Sequence, residues 1–185
     1  MLKPQDIVIL LKILSIMTLS EGYPKESLAQ NRLATFLCIS ASEVNAAMKR
    51  LTQARLLELV IKDDKMIALP NKAACEECLV HGVKYFFQVK LGERVRGIPT
   101  SYAAPAFKGL ISIGNDPVPV WPCMDGDQIG VALEPLYRSV PKSLVNYPDP
   151  LFYKLLALID AIRTGRARER ELAIKLLKEV INEQK

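Results

Sequence analysis

Along the first third of the chain, apolar stripes at helical spacing alternate with short polar breaks. Ile7, Leu10, Leu11 and Leu14 recur at intervals of three and four, which predicts an amphipathic helix starting near Pro4. Proline is tolerated there because the first helical N–H has no intrahelical partner to lose. Gly22 and Pro24 punctuate the end of that helix. A second helix is predicted over Glu26 to Leu37, offering Leu28, Leu33, Phe36 and Leu37 for burial. The short turn Cys38-Ile39-Ser40 comes next. Ser40-Ala41-Ser42-Glu43 then has the spacing of a capping box, in which the Ser40 hydroxyl accepts from the N–H of residue 43 and the Glu43 carboxylate reaches back to the Ser40 N–H. The third helix runs to about Ala54, with Val44, Ala47, Met48 and Leu51 as its inward stripe. Two β-prone runs, Leu57–Ile61 and Met66–Leu69, flank Lys62-Asp63-Asp64-Lys65, the pattern of a hairpin.

Beyond the hairpin the pattern changes twice. Asn71 is placed to cap a helix over Lys72 to Lys84. Nine of the twelve prolines then fall between Pro99 and Pro150. Proline removes a donor and disfavours helix at its own and the preceding residue, so this stretch is expected to be extended or loop-rich. It is not polar, however: Tyr102, Val118, Val120, Trp121 and Tyr137 argue for an ordered segment rather than a linker. Helical spacing returns with Leu151, Leu155, Leu158, Ile159 and Ile162, closed by Gly165, and again with Leu172, Leu176, Leu177 and Val180. The expected fold class is therefore mainly α (α+β). Residues 1–70 form a three-helix unit with a hairpin, 71–150 a helix and a proline-rich irregular segment, and 151–185 a C-terminal helical pair.

With 185 residues, 50% of them hydrophobic and 24% charged, the chain is long enough for one domain or two small ones and too apolar to be disordered. The net charge is +5, divided as +2 over residues 1–70, neutral over 71–150 and +3 over 151–185. Such an excess is compatible with a polyanionic partner but does not require one. The apolar run Ile7–Met17 is too short to span a bilayer, and no secretory signal is evident. Four cysteines are too few for a disulfide framework, and a cytoplasmic location with reduced thiols is expected.

The order helix, helix, tight turn, helix, hairpin is that of a winged helix-turn-helix. Leu33-Ala34-Thr35-Phe36-Leu37, the turn through Ser40, Val44, Met48-Lys49-Arg50-Leu51 and Ala54-Arg55-Leu56-Leu57 together resemble the helix-turn-helix of MarR-like transcriptional regulators. The resemblance covers about residues 4–70. It departs from the family at Arg55, where a glycine often closes the recognition helix. It implies that helix 41–54 enters the major groove of double-stranded DNA in a homodimeric repressor, with the first helix and the C-terminal pair supplying the dimer contact.

The residue types on that helix suit the task. Opposite the core stripe stand Ser42, Ala46, Lys49 and Gln53, flanked by Asn45 and Arg50. A small residue such as Ala46 permits close approach; Asn45 and Gln53 match adenine edges, and Lys49 or Arg50 match guanine or phosphate. Lys62 and Lys65 at the hairpin tip, and Asn31 and Arg32 on the second helix, are candidates for backbone contacts.

Other chemistry is poorly represented. Cys75, Cys78 and His81 lie at i, i+3 and i+6 of one predicted helix and fan over about 120°, so one metal ion cannot take all three; buried or half-buried thiols are expected, with no metal and no cofactor. His81, the only histidine, is expected to serve a structural hydrogen bond. No nucleophile motif and no phosphate-cradling glycine loop occurs, so no enzyme activity is expected. The basic run Arg163 to Arg170 reads as a solvated helix start, and Tyr102, Trp121 and Tyr137 as core filler or pocket lining. The alternative to DNA binding is an antitoxin-like or adaptor protein that holds a partner protein through its C-terminal half.

Overall fold

The computed structural model describes residues 1–19, 28–62, 65–114 and 117–183. It is an α+β structure in which three helices and a hairpin lead into a small closed sheet and a helical C-terminus. Helix α1 (Pro4–Leu19) is followed by α2 (Gln30–Leu37), α3 (Ala41–Gln53) and the antiparallel pair β1 (Leu57–Lys62) and β2 (Lys65–Pro70). The second helix begins at Gln30 rather than Glu26; Leu28 and Ala29 are a turn, and Gly22, Pro24 and Glu26 lie outside the described residues.

Asn71 caps α4 (Lys72–Glu77) as expected, its side-chain oxygen accepting from the Ala74 N–H at 3.0 Å. The helix predicted to run straight on instead widens into a π-helical turn, Cys78–Gly82, before α5 (Val83–Phe86). The Val83 N–H there bonds five residues back, to Cys78. His81 is exposed on this turn and does not take the expected structural place.

The proline-rich stretch holds two strands that its composition did not reveal, and they pair with a strand that runs into its start. Strand β3 (Leu91–Pro99) pairs antiparallel with β4 (Pro119–Pro122) and with β5 (Gln128–Leu133), and β4 pairs parallel with β5, so the three close on one another. A sheet this small brings backbones together. A Cβ on Gly97 would lie 2.1 Å from the Trp121 carbonyl oxygen, and one on Gly126 would lie 2.2 Å from the backbone of Gly97. Two 3-10 turns, Ser101–Ala103 and Pro105–Phe107, lead the chain away from the end of β3. The stretch also ends in an unpredicted helix, α6 (Val140–Asn146), which tolerates Pro141 because it falls in the first turn.

The C-terminal pair is present as α7 (Pro150–Thr164) and α8 (Ala167–Asn182). Helix α7 is buried on almost every side from Leu155 to Ile162 and touches α1, α5, α8 and the first 3-10 turn. Asp160, fully buried, binds that turn and the sheet to α7. It accepts from the Thr100 hydroxyl at 2.8 Å, the Trp121 indole N–H at 2.7 Å and the Arg163 guanidinium at 2.8 Å. Burial pushes the Asp160 carboxyl up, against the pull of Arg163 and the two neutral donors. Trp121 is therefore a core residue with a satisfied N–H, and Arg163 belongs to a buried ion pair rather than to the solvated basic run.

Helix α1 also departs from its expected role. Every residue from Asp6 to Ser15 is buried, on all faces, by α3, α7, α8 and β2. The apolar residues from Ile7 to Leu14 are consumed inside the protomer, so these cannot supply the dimer contact assigned to the first helix. Three polar residues enter with them, each paired. Asp6 meets Arg50, while Lys12 and Ser15 both donate to Asp149 at 2.7 Å. Cys75 is buried and donates to the Leu56 carbonyl, its thiol pushed up to about 12 by desolvation; Cys78 is half-buried and raised for the same reason. Among the described residues no group of side chains is arranged to hold a metal ion, and no helix is long and apolar enough to cross a membrane.

Candidate nucleic-acid interface

The site is built on the turn between α2 and α3. Cys38 adopts the left-handed conformation at φ 53°, its N–H bonding to Thr35 and that of Ile39 to Ala34. These bonds satisfy the last carbonyls of α2 and reverse the chain within three residues. Ser40 then opens α3 with the expected reciprocal cap. The Glu43 N–H donates to Ser40 Oγ at 3.2 Å, and the Ser40 N–H donates to the Glu43 carboxylate at 3.4 Å.

A third partner, which no spacing rule would find, comes from the far half of the chain. The Tyr137 hydroxyl donates to the other Glu43 oxygen at 2.6 Å. That bond holds the Glu43 carboxyl below its ordinary value, helped by Ser40 and Arg138 and opposed by partial burial, while it raises the Tyr137 phenol. The start of α3 is thereby tied to the segment between β5 and α6. Tyr137 is engaged in this bond rather than in lining a pocket.

The end of α3 is equally defined. The Arg55 N–H bonds to Thr52 and the Leu56 N–H to Leu51, the paired bonds of a Schellman motif, and Arg55 sits at φ 58°. The position where the related pattern has glycine is thus the one that needs positive φ. An L-residue there costs about 1 kcal/mol through the clash of Cβ with its own backbone. Arg55→Gly is expected to raise stability by up to about 1 kcal/mol, less the extra chain entropy of glycine in the unfolded state. The urea midpoint measures this; a loss of stability would show that the arginine side chain makes a compensating contact.

Between these two ends the helix presents the expected faces. Val44, Ala47 and Leu51 are buried and Met48 is half-buried. Ser42, Asn45, Lys49 and Gln53 are exposed, and Ala46 lies half-exposed among them. Asn45, Lys49 and Gln53 border a hollow of about 700 Å³ between α3 and the hairpin, which Leu59 and Ala68 close on the other side. Asn31 and Arg32 are exposed in the first turn of α2. Lys62 and Lys65 face each other across the hairpin register, and their side chains lie outside the described residues.

Arg50 is the exception on this helix. Its guanidinium turns away from the exposed face and forks onto Asp6, Nε to Oδ2 at 2.7 Å and NH2 to Oδ1 at 2.6 Å. Asp6 is 0% exposed, and the pair raises the arginine above its usual value. This geometry makes Arg50 an anchor between α3 and the start of α1. An aspartate just ahead of the apolar run Ile7–Leu11 was the signal in the sequence that a cation had to meet it. Against family models, curated proteins and solved structures the chain finds no match, so its function is argued from its own residues.

Proposed function

We propose that the chain is a winged helix-turn-helix regulator of the MarR-like type, reading double-stranded DNA with α3. The observation that carries this reading is the exposed face of α3. It bears two small residues, two amides and a lysine where a merely solvated helix would be rich in Glu and Lys. Asn45 and Gln53 are assigned to base edges, Lys49 to guanine or phosphate, Ser42 and Ala46 to close approach, and Asn31 and Arg32 to phosphate. Arg50 is assigned to positioning α3 rather than to DNA. A homodimeric repressor would place two such helices in successive major grooves, about 34 Å apart on a pseudo-palindromic site. With α1 occupied inside the protomer, two-fold assembly has to use another surface.

Gel-shift titration against DNA from upstream of the protein's own coding sequence tests the reading. Affinity is expected to fall steeply with added salt, as phosphate contacts release counterions. Lys49→Ala is expected to weaken binding about tenfold, with the circular dichroism spectrum unchanged. Equal affinity in Lys49→Ala and in Asn45→Ala, on a probe the parent protein binds, would remove α3 as the reader.

The second reading, an antitoxin-like or adaptor protein, has its own support. Tyr85 and Phe86 stand 67% and 78% exposed at the end of α5, and Leu91 and Ile129 are exposed on the small sheet. Where such side chains join into one contiguous patch they mark a contact surface. Co-purification of a stoichiometric protein partner that Phe86→Ser displaces would favour it.

A further inference from the structure

A cavity of about 490 Å³ opens between the 3-10 turns, α6 and the first turns of α7. Its walls are almost wholly hydrocarbon: Ile98 at the end of β3, Ala104 and Ala106, and Leu144 and Val145 of α6. Concave apolar spaces of roughly 300–1,000 Å³ with a few polar groups are the usual form of a small-molecule site.

Three of the residues that line the cavity, Asp149, Tyr153 and Lys154, carry polar side chains, and two of these are already engaged. The Asp149 carboxylate accepts from Lys12, Ser15 and the Phe152 N–H, and the Tyr153 hydroxyl donates to the Pro99 carbonyl. Lys154 remains. Among the described residues it has no ion-pair partner. A cavity with apolar walls and one lysine without an ion-pair partner among its lining residues can select by charge as well as by shape. An uncharged hydrocarbon would leave Lys154 unused, and a cationic one would be repelled by it.

We propose that this cavity binds a small apolar molecule ending in a single carboxylate, its hydrocarbon against Leu144 and Val145 and its head paired with Lys154. Such an occupant would lie against α6, and α6 abuts the turn that positions α3. The Tyr147 ring stands edge-on to Phe36 of α2 at 5.8 Å, and the Asn146 amide points at Cys38 Sγ at 3.7 Å. An effect of the ligand on DNA binding rests on the proposed function; binding itself does not.

The test therefore uses the protein alone, without DNA. The single tryptophan is a built-in reporter, because Trp121 lies 5.7 Å from Tyr153, which lines the cavity. Sodium decanoate, kept below its micellar concentration, is expected to change the fluorescence saturably at one site per chain. 1-Decanol is expected to bind about tenfold more weakly and decylammonium not at all, since only the carboxylate gains a charge-assisted hydrogen bond. Lys154→Met should lower decanoate affinity about tenfold and leave that for decanol unchanged; the lysine is partly exposed, so folding is preserved. Ala106→Phe, which fills the cavity, should abolish both. Absence of saturable decanoate binding, equal affinity for decanoate and decanol, or an unchanged decanoate affinity in Lys154→Met would each overturn the proposal.

Discussion

Arg50→Ala is expected to cost about 3–5 kcal/mol of stability, the largest effect of any single substitution on the outer faces of the first three helices. The reason lies in what remains. Asp6 is fully buried at the start of α1, where its carboxylate accepts two bonds from the guanidinium and one from the Lys3 N–H at 2.8 Å. Removing the arginine leaves a desolvated charge with one neutral donor. Thermal unfolding should drop on the order of 10 °C for a chain of this length. Arg50→Lys restores the charge but not the fork, so it should recover only part of the loss. Replacing both partners, as in Asp6→Leu with Arg50→Met, should recover most of it, because neither charge is then stranded. A thermal midpoint unchanged in Arg50→Ala would show that Asp6 is not held by this pair. If the chain reads DNA as proposed, affinity lost in Arg50→Ala should be traceable to the lost fold, whereas Lys49→Ala should lose affinity with its fold intact.

The second large effect is at Asp149. This residue caps α7 through the Phe152 N–H at 2.9 Å and neutralises Lys12, whose ammonium lies 2.7 Å away between the rings of Phe36 and Phe152. Asp149→Ala removes the cap and strands a buried lysine in the middle of α1, which is expected to cost about 3–5 kcal/mol. The same site predicts a pH dependence. Burial alone would raise the Asp149 carboxyl, but the Lys12 ammonium, the Phe152 N–H and the Ser15 hydroxyl together hold it below its ordinary value of 3.8. A carboxyl depressed in the folded state contributes its full stabilisation above the unfolded value, and that contribution is lost as pH falls through the folded one. Stability measured by urea should therefore decline as pH is taken below about 4. In Asp149→Asn the decline should be shallower, from a lower starting stability. An identical acid limb in parent and variant would show that other carboxylates carry it.

Which features were legible in the sequence depends on which forces are local. The cap Ser40 with Glu43, the inward stripe of α3 and the Asn71 cap depend on residues within one or two helical turns of one another, and the hairpin joins two neighbouring runs; each is present in the structure. The exposed face of α3 was legible for the same reason, since a helix with one buried stripe has its opposite side determined by geometry. Arg50 was misread because the helical wheel places it on the flank of that face but says nothing of a carboxylate 44 residues away. The strands β3, β4 and β5 were not legible because proline density masks β4, and because each finds its partners only when the three close on one another, with backbones brought together at glycine.

Among the described residues of the first seventy, chain order and residue chemistry by themselves determined where the backbone coils and turns, apart from the start of α2, since capping, periodicity and turn formation rest on local contacts. The apolar run of α1 likewise marked that helix for burial, but packing decided that the cover would come from its own protomer rather than from a second copy. Only the tertiary structure decided which distant polar groups meet: Asp6 with Arg50, Lys12 with Asp149, Asp160 with Thr100 and Trp121, and Glu43 with Tyr137. Desolvation makes each buried charge take a partner, but whichever group the fold brings within 3 Å can serve. That choice is made by packing, and no spacing along the chain encodes it.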